Sequence, residues 1–312
     1  MKPKVAFLFS GQGAQHVGMG ADLIQLPASE RVYRDADSAL GYSLSELCFS
    51  GPESKLTETR HCQPALYVHG LACLAAFLEK MPIEPDFVAG LSLGEFTAHA
   101  AAGSFSLQDG LRLVATRGAA MQEACDASPG GMLSLIGATP EKASVIAGEV
   151  DVDIANLNSP GQVVLSGLLE RLERVPDIAK KEGIKRAIPL KVAGAYHSRL
   201  MEPARATLET ALRGAPIQMP RCPVVANFSA LPGTSPDEIR ALLLHQVTGT
   251  VRWEESIRWL IAQEVKHFIE FGPGEVLAGL AKRINADSRV ASVSDVPSLE
   301  KALEFAAAEG LA

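Results

Sequence analysis

Cysteine is scarce in this chain of 312 residues. Cys48, Cys62, Cys73, Cys125 and Cys222 are odd in number, and none stands at CxxC spacing. That excludes a disulfide framework and a cysteine zinc site, and reads as reduced thiols. Long hydrophobic runs are also missing. No stretch approaches the ~20 apolar residues of a membrane span. The apolar run Val5 to Phe9 is too short for the core of a signal peptide. The expectation is a soluble, cytoplasmic protein. Positive charge is in deficit: 29 Lys and Arg against 36 Asp and Glu give a net charge of −7. A net acidic chain is a poor candidate for nucleic acid or an anionic membrane as its main partner. Internal repeats and low-complexity linkers are absent. What is present is 47% hydrophobic residues, enough for a sizeable core. The length suits one large domain or two unequal ones.

Gly90-Leu91-Ser92-Leu93-Gly94 is the most informative stretch. It follows the apolar run Phe87-Val88-Ala89 and precedes a helical pattern from Glu95 to Ala102 that stops near Gly103. Strand, G-x-S-x-G, helix is the layout of a nucleophile elbow. Glycines permit the tight turn because they have no Cβ to clash. The helix N-terminus offers free N–H groups and a positive dipole end to a developing oxyanion. The plain alternative is a glycine-bounded turn with a capping serine.

The rest of the pattern predicts an α/β fold. Lys4 to Ser10 reads as a buried strand ending in the tight turn Gly11-Gln12-Gly13. Helices are predicted near 29–40, 64–80 and 107–124. Strands alternating with helices imply a parallel sheet covered on both faces. The pattern changes at Ser128-Pro129-Gly130-Gly131. Strands at 132–136, 152–155, 162–166 and 185–190, with helices at 140–148 and 168–182, give a βαββαβ order. That order matches a small ferredoxin-like unit. The expected organisation is an α/β-hydrolase-like parallel-sheet core domain from 1–127 and 192–312, with an inserted α+β subdomain at 128–191. Later elements are helices near 201–213, 236–246, 253–263, 273–284 and 297–308, and strands at 224–227 and 267–271.

A serine hydroxyl needs a base. His99 lies two turns along the helix from Ser92 and is not expected to reach it. His16, His61, His69, His245 and His267 read as surface or core-edge residues. His197 lies at a strand exit, in Gly194-Ala195-Tyr196-His197-Ser198, where open α/β sheets place reactive groups. Arg117 has apolar helical neighbours, Leu113, Val114, Ala120 and Met121, so it sits on a buried face. It is either a snorkelling or structurally paired residue, or a fork awaiting a carboxylate.

Seven segments then point one way. They are 9–15 (FSGQGAQ), 90–95 (GLSLGE), Arg117, 156–162 (NLNSPGQ), 194–198 (GAYHS), 246–253 (QVTGTVRW) and 271–274 (FGPG). In this order they closely resemble the malonyl-CoA:acyl carrier protein transacylases and the related acyltransferase domains of polyketide synthases, over roughly residues 4 to 286. The resemblance implies Ser92 as the acyl-carrying nucleophile and His197 as base and later acid. It implies Arg117 as the partner of the malonyl carboxylate, and the backbone N–H groups of Gln12 and Leu93 as the oxyanion hole. It also implies that the main-chain carbonyl of Gln246 orients His197, in place of an acidic side chain. Malonyl-CoA would be substrate, a holo acyl carrier protein the acceptor, with no permanently bound cofactor and no metal. A monomer is expected.

Two positions depart from the family pattern. Leu91 stands where histidine is usual before the serine, and Tyr196 where phenylalanine is usual before the histidine. Both put the pocket's polarity in question. Leu93 and Ser198 fit the malonyl-selective pattern. Two basic clusters are candidates for contact with an acidic carrier: Lys180, Lys181, Lys185, Arg186 and Lys191, and Lys282 with Arg283. The competing functions are a discrete acyltransferase or acyl hydrolase of a polyketide assembly line, and a non-catalytic carrier-binding module.

Overall fold

A computed structural model describes residues 2–312 and contains nine strands among them. They are β1 (Val5–Phe9), β2 (Phe87–Gly90), β3 (Gly130–Ile136), β4 (Asp153–Ser159), β5 (Gln162–Leu168), β6 (Arg186–Pro189), β7 (Val224–Val225), β8 (His267–Phe271) and β9 (Arg289–Val293). Five of them form one sheet in the order β7-β2-β1-β8-β9, and every pairing in it is parallel. All five residues of β1 are buried. A continuous apolar strand is what a parallel sheet covered on both faces requires. Successive side chains of β1 enter different cores. Phe7 and Phe9 join Phe77 and Phe271 in one, with ring centroids of Phe7 and Phe271 5.0 Å apart. Ala6 and Leu8 join Trp253, Ile257 and Phe268 in the other. The helices Thr59–Lys80 and Leu107–Ala127 contribute to the first core, and Trp253–Ala262 and Val276–Ile284 to the second.

The other four strands form an antiparallel sheet in the order β4-β5-β3-β6. Counted within 130–189 this is second, third, first, fourth, the ferredoxin-like arrangement the βαββαβ pattern predicts. Leu133, Leu135, Val163 and Leu165 pack with Ile146 and Ile178 in a core of this sheet's own. Met132 and Val164 lie on the opposite face and pack against the larger core. The α/β class, the parallel core sheet and the small antiparallel unit therefore all agree with the sequence reading.

The edge of the small sheet is sewn to the large unit. Val251 N–H donates to Ala155 O at 2.8 Å, and Leu157 N–H to Val251 O at 2.9 Å. Arg199 pairs with Asp153 and Asp151, its Nη2 lying 2.8 Å from Asp153 Oδ1. No helix among the described residues is long and apolar enough to cross a membrane.

Several boundaries differ from expectation. The helix expected at 64–80 begins at Thr59 and carries Pro64 inside it. The helix expected at 168–182 is two short ones, Leu169–Leu172 and Val175–Lys181. Pro176, lacking an N–H and restricting the residue before it, sits where the second one starts. The strand expected at 224–227 is ordered as β7 only over Val224–Val225. The helix expected from 273 starts at Val276. Helices Leu44–Ser50 and Glu53–Leu56 and the edge strand β9 have no counterpart in the sequence reading. Only the last residue of β9 is buried, which leaves no alternation to read.

Candidate active site

Ser92 lies at the carboxyl end of β2, on a turn that the two flanking glycines make possible. A Cβ on Gly90 would collide with the backbone of Gly94, and one on Gly94 with the carbonyl of Phe9. Ser92 itself takes φ 55° and ψ −108°, a region that non-glycine residues rarely enter. The helix Leu93–Ala101 starts immediately after it. Asn227 holds the turn: its Oδ1 accepts from Ser92 N–H at 2.6 Å, and its Nδ2 donates to Gly90 O at 2.7 Å. The residue that ends the predicted strand 224–227 is thus a brace for the elbow.

His197 meets the serine from the other side of the cleft. Its Nε2 lies 2.7 Å from Ser92 Oγ, and its Nδ1 lies 2.8 Å from the main-chain carbonyl of Gln246. A carbonyl only accepts, so Nδ1 carries the proton and Nε2 presents its lone pair to the hydroxyl. His197 has φ 56° and is buried. Burial and the nearby Arg117 cation push its pKa down to about 4, against the opposing pull of the Gln246 carbonyl. The imidazole is therefore neutral at pH 7.

Arg117 is fully buried, as its helix face predicts, but its surroundings are not apolar. Nη1 donates to Gln63 Oε1 at 2.5 Å. Nη2 donates to Gln246 Oε1 at 3.0 Å and to Ser92 Oγ at 3.2 Å. The Phe96 ring lies 5.5 Å below the guanidinium carbon, in cation–π range. Nε has no partner. Burial lowers the pKa of Arg117 to about 10, and Glu95 pulls the other way, so the group stays cationic. The apolar neighbours belong to the residue's own helix; the amides come from other elements.

Gln12 connects to the same network. Thr59 Oγ1 donates to Gln12 Oε1 at 2.9 Å, and Gln63 Nε2 donates to Thr59 Oγ1 at 3.0 Å. Gln12 Nε2 lies 3.5 Å from the Tyr196 hydroxyl, which gives that hydroxyl a polar neighbour. Gln12 and Leu93 both line the cavity beside Ser92, and no hydrogen bond among the described residues uses either backbone N–H.

That cavity has a volume of about 190 Å³. The large unit supplies Ser92, Arg117, His197, Met121 and Leu280, and the small sheet supplies Met132, Asn156, Asn158 and Val164. Leu91 lines it too, so the position where histidine is usual carries an apolar wall. Ser198 points into its own turn, donating to Ala195 O at 2.6 Å. A larger cavity of about 530 Å³ lies elsewhere, between Leu74, Leu78, Ile83 and Cys222, and shares no lining residue with the cavity at Ser92.

Two buried histidines are held away from Ser92 by partners of their own. His99 is buried and its Nδ1 lies 2.9 Å from Ser104 Oγ. His69 is not at a core edge; it is fully buried, with Nδ1 2.8 Å from the Tyr33 hydroxyl. Sequence reasoning did not single out Gln63, Glu95, Asn227 or the side chain of Gln246. Glu95 belongs to the quoted motif, so its position carried a signal; Gln63 lay outside the predicted helix altogether.

A family model described as the acyl transferase domain matches residues 6–306. The chain belongs to the acyl transferase family. It is 43% identical over 307 residues to the malonyl CoA-acyl carrier protein transacylase of Bacillus subtilis (strain 168), covering 96% of each chain. It is similar to the acyl-carrier-protein S-malonyltransferase of Bartonella henselae, with a TM-score of 0.92 at 40% identity over 96% of this chain and 98% of that one. A second solved structure holds a type II polyketide acyl-carrier protein in complex with its malonyl-transacylase. The likeness there has a TM-score of 0.93 at 40% identity, covering 96% and 99% of the two chains.

Proposed function

We propose that this acyl transferase moves a malonyl group from malonyl-CoA to the pantetheine thiol of an acyl carrier protein, for fatty acid synthesis. The observation that carries this reading is the buried Arg117 cation 3.2 Å from the hydroxyl that His197 activates. A nucleophile with a fixed cation beside it suits an acyl group that ends in a carboxylate.

In the first half-reaction Ser92 Oγ attacks the thioester carbonyl while His197 Nε2 takes the hydroxyl proton. The N–H groups of Gln12 and Leu93 receive the oxyanion. The C–S bond breaks, His197 returns the proton to the departing sulfur, and coenzyme A leaves. In the second, the carrier's thiol gives its proton to His197 and attacks the Ser92 ester. Collapse of that intermediate returns the proton to Ser92 Oγ. The Gln246 carbonyl holds the imidazole in the required tautomer throughout. To test the reading, malonylated enzyme freed of coenzyme A is mixed with holo carrier. The malonyl group should appear on the carrier; release as free malonate would instead mark a hydrolase.

A polyketide carrier is the second reading, supported by the likeness to a transacylase solved with such a carrier. A panel of holo carriers from both pathways separates the two. We read 128–191 as an inserted subdomain because it has a core of its own. The unpaired thiols of Cys48, Cys62, Cys73, Cys125 and Cys222 support a reducing, cytoplasmic setting. Action as a monomer goes with this reading.

The carrier docks at the cavity mouth. Leu190 and Val192 line one side of the cavity, and exposed Lys191 lies between them in sequence. Val276 and Leu280 line another, on the helix that carries exposed Lys282 and Arg283. Charge reversal at both basic clusters should weaken the apparent affinity for the carrier, most strongly at low salt. The check is a carrier titration at two ionic strengths. An unchanged KM for the carrier would remove both clusters from the interface.

A further inference from the structure

Glu95 has no role in the steps above, yet its carboxyl is fully buried beneath the reacting serine. It sits in the first turn of the helix that Ser92 opens. Oε2 accepts from Gln246 Nε2 at 2.6 Å and from Asn227 N–H at 3.0 Å, while Oε1 has no partner. A buried carboxyl with one oxygen unpartnered is costly to the fold. Burial raises its pKa to about 7, against the lowering effects of the Asn227 N–H, the Gln246 amide and Arg117.

The group it holds is the Gln246 side chain. That amide stands between Glu95 and Arg117. Its Nε2 donates to Glu95 Oε2 and, at 2.9 Å, to Ser92 O; its Oε1 accepts from Arg117 Nη2 at 3.0 Å. Gln246 therefore has two anchors on its nitrogen and one client on its oxygen. The bond to Glu95 is the shorter anchor. Removing it leaves the amide nitrogen tied only to the Ser92 carbonyl, with the space vacated by the carboxyl to move into. Arg117 Nη2 would then lose the amide acceptor that fixes it, leaving the guanidinium to Gln63 Oε1 on Nη1 and the longer contact to Ser92 Oγ on Nη2.

We propose that Glu95 is a positioning residue that, through the Gln246 amide, sets the orientation of the Arg117 fork and thereby the preference for a malonyl over an acetyl group. This rests on the function proposed above. The fork's orientation matters to a substrate that presents a carboxylate and is indifferent to one that presents a methyl group. A loss of positioning therefore lowers malonyl turnover selectively. General damage to the elbow lowers both substrates together. What Gln246 requires of Glu95 is an acceptor oxygen of the right reach, which a glutamine also supplies.

The experiment measures kcat/KM for Ser92 acylation by malonyl-CoA and by acetyl-CoA in wild type, Glu95→Ala and Glu95→Gln, with circular dichroism to confirm folding. Glu95→Ala should lower the malonyl-to-acetyl ratio on the order of tenfold, and Glu95→Gln should keep it within about threefold of wild type. Equal falls for both substrates in Glu95→Ala would overturn the proposal. So would a ratio in Glu95→Gln as low as in Glu95→Ala, since charge rather than the acceptor would then matter. If Glu95→Ala does not fold, Glu95→Asp draws the acceptor back by one methylene and is judged by the same ratio. Wild type that accepts no malonyl would instead refute the underlying function.

Discussion

Replacing His197 by alanine should slow acylation of Ser92 by a factor on the order of 10² to 10⁴, the usual scale of general base catalysis. Among the described residues, no second base lies within hydrogen-bond distance of Ser92 Oγ. His99 is engaged with Ser104 inside the core, and burial holds its pKa down to about 3. The same argument fixes the pH dependence in the wild type. His197 works as a base only when neutral, and its pKa is held down to about 4 by burial and the Arg117 cation. The imidazole is thus available above that value and lost below it. Single-turnover acylation should lose about tenfold per pH unit below the pKa, as protonation removes the base. Release of coenzyme A in a rapid-mixing assay, with and without the substitution, reads both effects. A near-normal rate in His197→Ala would transfer the role to a group not identified here.

Arg117→Ala should lose malonyl transfer and gain acetyl transfer relative to it. Pairing between the guanidinium and a carboxylate is charge-assisted and partly desolvated, so truncating one partner costs roughly 2 to 5 kcal/mol. At about 1.4 kcal/mol per factor of ten, the malonyl-to-acetyl ratio should fall by at least about 30-fold. Gln63 and Gln246 keep the guanidinium hydrogen-bonded when no substrate is present, at 2.5 and 3.0 Å. They are neutral, so the cation's charge is left for the substrate. Acetyl-CoA brings no carboxylate to that charge. Comparison of kcat/KM for both thioesters in both proteins is the test. An unchanged ratio would make Arg117 structural.

The elbow was readable because its requirements are local. Gly90 and Gly94 are needed where the turn is tightest, and the strand and helix either side are contiguous in sequence. The burial of Arg117 was readable for the same reason, since helical spacing reports its own face. What faces that arginine was not. Gln63 arrives on a helix whose first turn precedes Pro64, and the sequence reading began that helix at the proline. Asn227 read as the end of a strand, but its polar groups close onto Glu95, Ser92 and Gly90. The Gln246 carbonyl has no signature of its own, because any residue supplies a carbonyl. It entered through the family resemblance, and only the folded chain sets it 2.8 Å from His197 Nδ1. The ferredoxin-like unit was legible from element order; the split at Pro176 and the thinly buried β9 were not.

In the proposed reaction Ser92 carries the malonyl group between two thiols. Intact-mass spectrometry of the wild type and of Ser92→Ala, each incubated with malonyl-CoA and then with holo carrier, tests it most directly. The wild type should gain one malonyl adduct and lose it when the carrier is added, with a matching gain on the carrier, and a folded Ser92→Ala protein should gain none. A covalent malonyl adduct on Ser92→Ala, or transfer to the carrier without one on the wild type, would contradict it.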